Sequence, residues 1–405
     1  MEEQRISIRF YITEGLVIIA LIIGILIGRY WHSDGSYYRD FYEKSAKAYQ
    51  KAEKADTPPV SSENPVRLKK VLALYREVFD QYRDSRWADD ALFKLASRMD
   101  PTEEEAFALF RRLINDYPDS EWADASLYTI AMGHYRKQNY DKALLLFDQV
   151  IKEYPTSNLI VEAEFNRAMC YYGKGNWKEA LEEFDRFEEV HRDSKLVHSA
   201  RFYKGMVFSD KREYDTARIE FQNIIDAGFK DLSPEAQFNI GHTYFAEGKY
   251  DEAIAAYRKT INEYPNTDSA KYAEFYIGEA LQKQGKNEEA IVQLEQAVTK
   301  YPDNEKAAVS QMFIAEIYLS MNDIEKAAGI YRKVADNEKY EYDLRRDAQY
   351  RIGKIYEDSN QMQKAVEEYQ KLLKQFQWPH SIANHPSNEI DEGYIENLKT
   401  KASRE

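Results

Sequence analysis

Apolar and polar positions follow a helical period along most of this chain, and that pattern itself recurs at long range. Ala106, Ala143, Ala180, Ala217, Ala253, Ala290, Ala327 and Ala365 stand 37, 37, 37, 36, 37, 37 and 38 residues apart. Four residues after each comes a large apolar residue: Phe110, Phe147, Phe184, Phe221, Tyr257, Leu294, Tyr331 or Tyr369. Twelve residues before seven of the alanines comes a small one: Ala131, Ala168, Gly205, Gly241, Gly278, Ala315 and Gly353. Three residues earlier again stand Tyr128, Phe165, Phe202, Phe238, Phe275, Met312 and Tyr350. Each unit thus holds two amphipathic stretches of about 14 residues, which predicts a helix, a tight turn and an antiparallel helix. The breaks fall at Gly175, Gly248, Gly285, Asn322 and Asn360. Tyr-Pro pairs end the second helices at Pro118, Pro155, Pro265 and Pro302, because the residue before proline leaves the helical region. The small residue and the alanine let helices approach closely, and the aromatic is expected to fill the gap against a neighbouring unit. Nine second helices are expected, the first over Leu68–Tyr82, and eight clear first helices. One hairpin cannot bury its own apolar stripe, so the units must stack.

The first thirty residues differ. Gly15–Gly28 reads GLVIIALIIGILIG without a charge, and Phe10–Tyr30 reaches spanning length with Glu14 and Arg29 near its ends. This predicts a transmembrane signal anchor over 10–30 behind a short tail, 1–9. A cleaved secretory signal is the alternative, with Leu26-Ile-Gly28 a poor cleavage match. Ala20, Gly24 and Gly28 form a small-residue stripe that would let two such helices approach. Residues 31–65 read as a helical stalk, or as the first helix of an atypical repeat, followed by the linker TPPVSSENP. The repeat array occupies 66–379, and 380–405 is a tail in which Ile390–Lys399 suits a short capping helix, with disorder as the alternative.

Phe238–Pro265 resembles a tetratricopeptide repeat, with Ile240, Gly241, Tyr244, Gly248, Tyr250, Ala253, Tyr257 and Pro265 on that family's pattern. The early tryptophan is missing: Gln237 stands in its place. The period near 37 resembles a subgroup of bacterial envelope proteins, among them the outer-membrane assembly lipoprotein and the Tol–Pal-associated repeat protein. The resemblance covers about three quarters of the chain. It implies an all-α, right-handed superhelix of about nine hairpins whose first helices line a concave groove. It implies a non-catalytic scaffold for protein–protein interaction in envelope assembly or maintenance. The alternatives are a subunit that packs laterally or self-associates, and a cytoplasm-facing regulator. The expected placement is a single-pass inner-membrane protein with periplasmic repeats. Arg29, Arg39, Lys44 and Lys47 after the span, against Arg5 and Arg9 before it, pull towards the cytoplasmic alternative.

Composition narrows the chemistry. A hydrophobic share of 43% excludes a disordered chain, and a net charge of −14 argues against a nucleic-acid partner. A single cysteine, Cys170, leaves no intrachain disulfide and no cysteine metal site, and its place beside Ala168 and Met169 suits a core residue. His191-Arg192-Asp193 occupies the column filled elsewhere by YPDS and YPTS, so it reads as a loop rather than a kinase motif. Gly173-Lys174-Gly175 is an interhelix turn and not a P-loop. No catalytic, cofactor or metal site is expected.

Groove positions in the resembled family lie two residues before the small-residue column: Thr129, Asn166, Tyr203, Asn239, Tyr276, Phe313 and Arg351. Asn166 and Asn239 match asparagines that hold a peptide backbone in that family, since an amide both donates and accepts. The candidate partner-binding residues are Asn166, Tyr203, Asn239, Tyr276 and Arg351. One turn before three of the positions stand Glu162, Glu235 and Asp347, where a carboxylate clamp needs a cation. A neutral or basic extended segment, or a helix, is therefore the expected partner, and a homo-oligomer is a further expectation.

Overall fold

The computed structural model describes residues 40–59, 64–302, 305–376 and 386–403, which divide into two compact units between His191 and Arg192. In the first unit α1 covers 40–56, followed by α2 (Pro65–Gln81), α3 (Ala88–Ser97), α4 (Glu104–Asp116), α5 (Ala123–Arg136), α6 (Tyr140–Glu153), α7 (Ile160–Gly173) and α8 (Trp177–Val190). The second unit holds α9 (Leu196–Asp210), α10 (Tyr214–Asp226), α11 (Ser233–Ala246), α12 (Tyr250–Glu263), α13 (Asp268–Lys283), α14 (Asn287–Lys300), α15 (Glu305–Ser320), α16 (Ile324–Asp336), α17 (Tyr342–Asp358) and α18 (Met362–Gln375). A 3-10 turn, Pro386–Glu389, and α19 (Glu392–Ala402) follow. The described residues are helical without strands, in repeated helix–turn–helix pairs.

The column residues explain the pairing. A Cβ placed on Gly241 would lie 2.6 Å from the Tyr257 ring, and one on Gly278 would lie 2.6 Å from Leu294 Cγ. Helices this close leave no room for a side chain, so the small residue and the large one form a fitted pair inside each hairpin. The large residue therefore packs first against its own unit, and not only against the next one as expected. Phe147 does both: it is fully buried among Ala131 of its own hairpin and Ala163 and Cys170 of the following one.

The turns share one geometry. Gln138, Gly175, Arg212, Gly248, Gly285, Asn322 and Asn360 all take positive φ, between 58° and 78°. The next residue donates its N–H to a carbonyl five positions back, as in Asn176 to Tyr171 (3.0 Å) and Glu213 to Phe208 (2.8 Å). This is a Schellman end, which satisfies carbonyls left open by the helix terminus. Five of these positions carried a sequence signal, whereas Gln138 and Arg212 did not. Between repeats, Ser85, Ser120, Ser157 and Ser194 each accept, on the hydroxyl oxygen, the N–H two residues on.

Residues 40–56 take the first-helix place of a hairpin. Tyr49 and Ala52 are buried with Val71 and Tyr75 of α2. Buried Asp56 receives Arg98 Nε at 2.9 Å and the Tyr75 hydroxyl at 3.1 Å, which ties the end of α1 to α2 and to the end of α3. At the other terminus Ile395 and Leu398 of α19 are buried in the core around Tyr369 and Leu372 of α18. The tally of elements thus differs from about nine hairpins plus one spanning helix. Among the described residues no helix is long and apolar enough to cross a membrane. The expected span over 10–30, with Ala20, Gly24 and Gly28, lies outside the described residues.

Candidate functional site

In the first unit the groove column is engaged internally. Thr129 donates to the Ala125 carbonyl at 2.7 Å. Asn166 donates to the Tyr128 hydroxyl at 2.9 Å and to the Glu162 carbonyl at 2.8 Å. Both bonds use the amide nitrogen, so Asn166 offers an incoming chain chiefly its oxygen.

In the second unit three of the five column positions, Tyr203, Tyr276 and Phe313, are aromatic. Tyr276, half-buried on α13, lies within ring-contact distance of five rings. These are Phe238 (5.5 Å), His242 (5.3 Å), Phe245 (6.0 Å), Tyr257 (5.8 Å, stacked) and Phe275 (5.5 Å). Tyr272 extends the row, at 6.1 Å from Phe238, and Phe313 on α15 meets Phe275 at 5.5 Å. The helical spacing of 238, 242 and 245 on α11 and of 272, 276 and 279 on α13 builds this face. Phe238, His242, Phe245 and Tyr276 are only partly buried, so their rings form a surface as well as a packing layer.

Charge is distributed unevenly on this face. Asn239 donates to the Glu235 carbonyl at 2.8 Å, one turn back. Burial raises the Glu235 carboxyl above the usual carboxylate range. Burial also pushes up the Tyr203 hydroxyl, and the Glu235 charge adds to it. On α13, burial raises the Glu279 carboxyl; Lys283 opposes the shift and Glu316 adds to it. Neither Glu235 nor Glu279 forms an ion pair among the described residues. Burial lowers His242 and favours its neutral form. Arg351 is held between Asp347 (2.8 Å) and Glu316 (2.9 Å), beside a cavity of 370 Å³ bordered by Tyr331, Tyr350 and Pro386. Of the residues singled out from sequence, the structure therefore places Tyr276 within the ring cluster, Asn239 on the Glu235 carbonyl and Tyr203 against the core around Phe202 and Phe221. It ties Arg351 to two carboxylates. Sequence reasoning passed over His242, Phe245, Tyr272 and Glu279, although each lies one helical turn from a position it had named.

Cys170 is fully buried, and burial pushes its thiol up to about 12, so it is an inert core residue. His191 caps α8 and bonds Glu164, a local structural pairing. No group of His, Cys, Asp or Glu suited to a metal ion occurs among the described residues.

Stacked hairpins with fitted small and aromatic columns define a repeat protein of the helical-pair class. The chain carries tetratricopeptide repeats: one family under that description matches residues 234–267, and a second matches 90–120, 272–304 and 347–377. Residues 123–233 match the family described as outer membrane lipoprotein. Among solved structures, a tetratricopeptide repeat protein from Parabacteroides merdae is 17% identical, with a TM-score of 0.44 over 68% of this chain and 96% of that one. The C-terminal part of a TPR repeat-containing protein from Cytophaga hutchinsonii is 17% identical, with a TM-score of 0.42 over 65% and 98%. The MamA protein is 23% identical, with a TM-score of 0.35 over 45% and 94%. No curated protein matches the chain.

Tetratricopeptide repeats generally serve as non-catalytic scaffolds that bind protein partners. The single-pass inner-membrane placement expected from the sequence is corrected here. The family match over 123–233 is to an outer membrane lipoprotein, and the described helices from α2 to α19 are at most 17 residues long, where a span needs about 20 apolar ones.

Proposed function

We propose that this protein is a non-catalytic scaffold of the cell envelope that captures protein partners on the first-helix faces of its repeats. The observation that carries this reading is the half-exposed ring surface around Tyr276, next to Asn239. A buried packing layer alone would leave no rings at the surface, and aromatic residues are the usual anchors of protein interfaces. Residues Asn166, Tyr203, Asn239 and Tyr276 are the assigned contacts, with Arg351 shaping the end of the face through its two carboxylates. The match of 123–233 to an outer membrane lipoprotein family supports an envelope role.

A second reading rests on a different observation. Leu145, Ile219 and Val292 are 72%, 60% and 53% exposed, and each stands two residues after the alanine column. Such outward apolar residues in register suit lateral packing in an assembly or between copies. Photocrosslinking in living cells separates the two. A photoreactive residue at position 239 or 276 is expected to give defined protein adducts. Adducts from positions 219 and 292, with none from 239 and 276, would replace the first reading by the second.

A further inference from the structure

We infer that the α11–α13 face is built for a cationic partner segment, in which lysine or arginine side chains are spaced among apolar ones. The inference rests on the scaffold reading above and specifies the chemistry of what that face holds.

Three observations meet on this face. First, Glu235, at the surface, and Glu279, half-buried, lack an ion pair among the described residues, while several carboxylates of the same unit are paired. Glu247 holds Arg218 (2.5 Å) and Lys249 (2.9 Å), Glu274 holds Lys300 (2.5 Å), and Glu368 holds Arg332 (2.6 Å). A carboxylate partly removed from water without a partner costs stability, so the Glu279 position is unfavourable for the isolated fold. Desolvation raises the carboxyl pKa of both residues. Second, the ring surface between them accepts cations: Lys306 already lies over the Tyr272 ring, 4.3 Å from its centre. Tyr272 touches Phe238, which touches Tyr276, so the surface that holds this ammonium is continuous with the rest of the row. Electron-rich ring faces attract ammonium and guanidinium groups, most strongly where water is excluded. Third, the cation that a carboxylate-binding site would need is absent from the column, where Glu235 precedes Asn239 by one turn. An acidic segment would meet like charge, and a basic one would supply the missing counter-charges while its apolar side chains cover the rings.

The test uses a random peptide library displayed on phage, panned against the full-length chain and against three variants. The first variant is Glu235→Gln with Glu279→Gln, which keeps shape and removes charge. The second is Asn239→Ala with Tyr276→Leu, which removes the general contacts of the face. The third is Lys230→Gln, a control elsewhere on the unit. Enriched peptides are expected to combine Lys or Arg with aromatic or aliphatic residues. Their affinity is expected to fall about tenfold in the double glutamine variant and to weaken with added salt. The thermal midpoint of that variant should stay level or rise, which separates lost recognition from lost folding. Enrichment of neutral or acidic peptides, or equal affinity in the glutamine variant, would overturn the cationic partner while leaving the scaffold reading intact. Peptides that bind the Asn239→Ala, Tyr276→Leu variant as well as the wild type would overturn both.

Discussion

The two units share a repeat and differ in what they do with the same column. In the first unit Thr129 and Asn166 spend their side-chain donors on carbonyls and a tyrosine of their own fold. Its distinctive aromatic contacts lie instead at the helix starts, where Trp87 stacks on Tyr49 at 4.9 Å and Trp122 on Phe93 at 4.4 Å. Trp122 also donates to Asp90 at 2.7 Å, fixing one repeat to the next. In the second unit the equivalent positions carry Tyr203, Asn239, Tyr276, Phe313 and Arg351; Asn239 bonds the carbonyl one turn back as Asn166 does and Arg351 is ion-paired, but the rings are partly open and Glu235 and Glu279 lack ion pairs among the described residues. The buried alanine and large-residue columns are the same in both. Packing constrains the inward faces, where a changed volume is felt at once, and leaves the column free to differ between the units.

The largest expected effect tests whether the units are separable. Gly278→Trp places an indole where even a Cβ comes within 2.6 Å of Leu294, and should cost about 3 kcal/mol or more. Calorimetry should show a transition of the second unit lowered while that of the first stays in place. Loss of both in one step would show that the comparison divides a single cooperative body.

Next comes Arg98→Ala in the first unit. It takes the guanidinium away from Asp56, only 5% exposed, at a cost of about 3 kcal/mol. Hydrogen exchange over 40–56 should speed up far more than exchange in α5–α8. Uniform protection would mean that apolar contacts alone hold α1.

The turns provide a pair of opposite sign. Gly248→Ala forces a Cβ into positive φ and should lose about 1 kcal/mol. Arg212→Gly relieves the same strain in the neighbouring hairpin and should gain up to about 1 kcal/mol. Denaturation midpoints moving in the same direction would contradict a shared turn geometry.

The smallest effect is electrostatic. The folded Glu279 carboxyl has a pKa above its unfolded value, so the folded state binds the extra proton between the two. Stability is then favoured at acid pH and is lost as pH rises through the folded pKa. Glu279→Gln should be more stable than the wild type at neutral pH by less than about 1 kcal/mol, with the gap closing below the ordinary carboxylate range. A gap that widened on acidification would show a hidden counter-ion.

Much of this was legible in the residues. The alternation of small and aromatic columns predicts both helices and their pairing, because only small residues allow that approach. Tyr-Pro marks the ends of second helices, and the structure stops α4, α6, α12 and α14 at the residue before each tyrosine. The turns at Gln138 and Arg212 were not legible. There the helix-ending hydrogen bonds impose positive φ on residues with no preference for it. The place of 40–56 was open between a stalk and a first-repeat helix, since the amphipathic stripe is the same in both. Contact with α2 and the Asp56–Arg98 pair, 42 residues apart, distinguish them.

The candidate face divides the same way. Tyr276 and Asn239 could be named from their register, because helical spacing is a local property of the chain. That Asn166 is occupied by Tyr128 and Arg351 by Asp347 and Glu316 depends on which repeat-distant side chains come within a few ångströms. Periodicity in sequence determined the helices, their hairpins and the buried columns, since those follow from side-chain volume and spacing along one element. Only the tertiary structure decided which polar groups find partners and which carboxylates are left without one. Pairing energy and desolvation depend on distances between elements that no local pattern encodes.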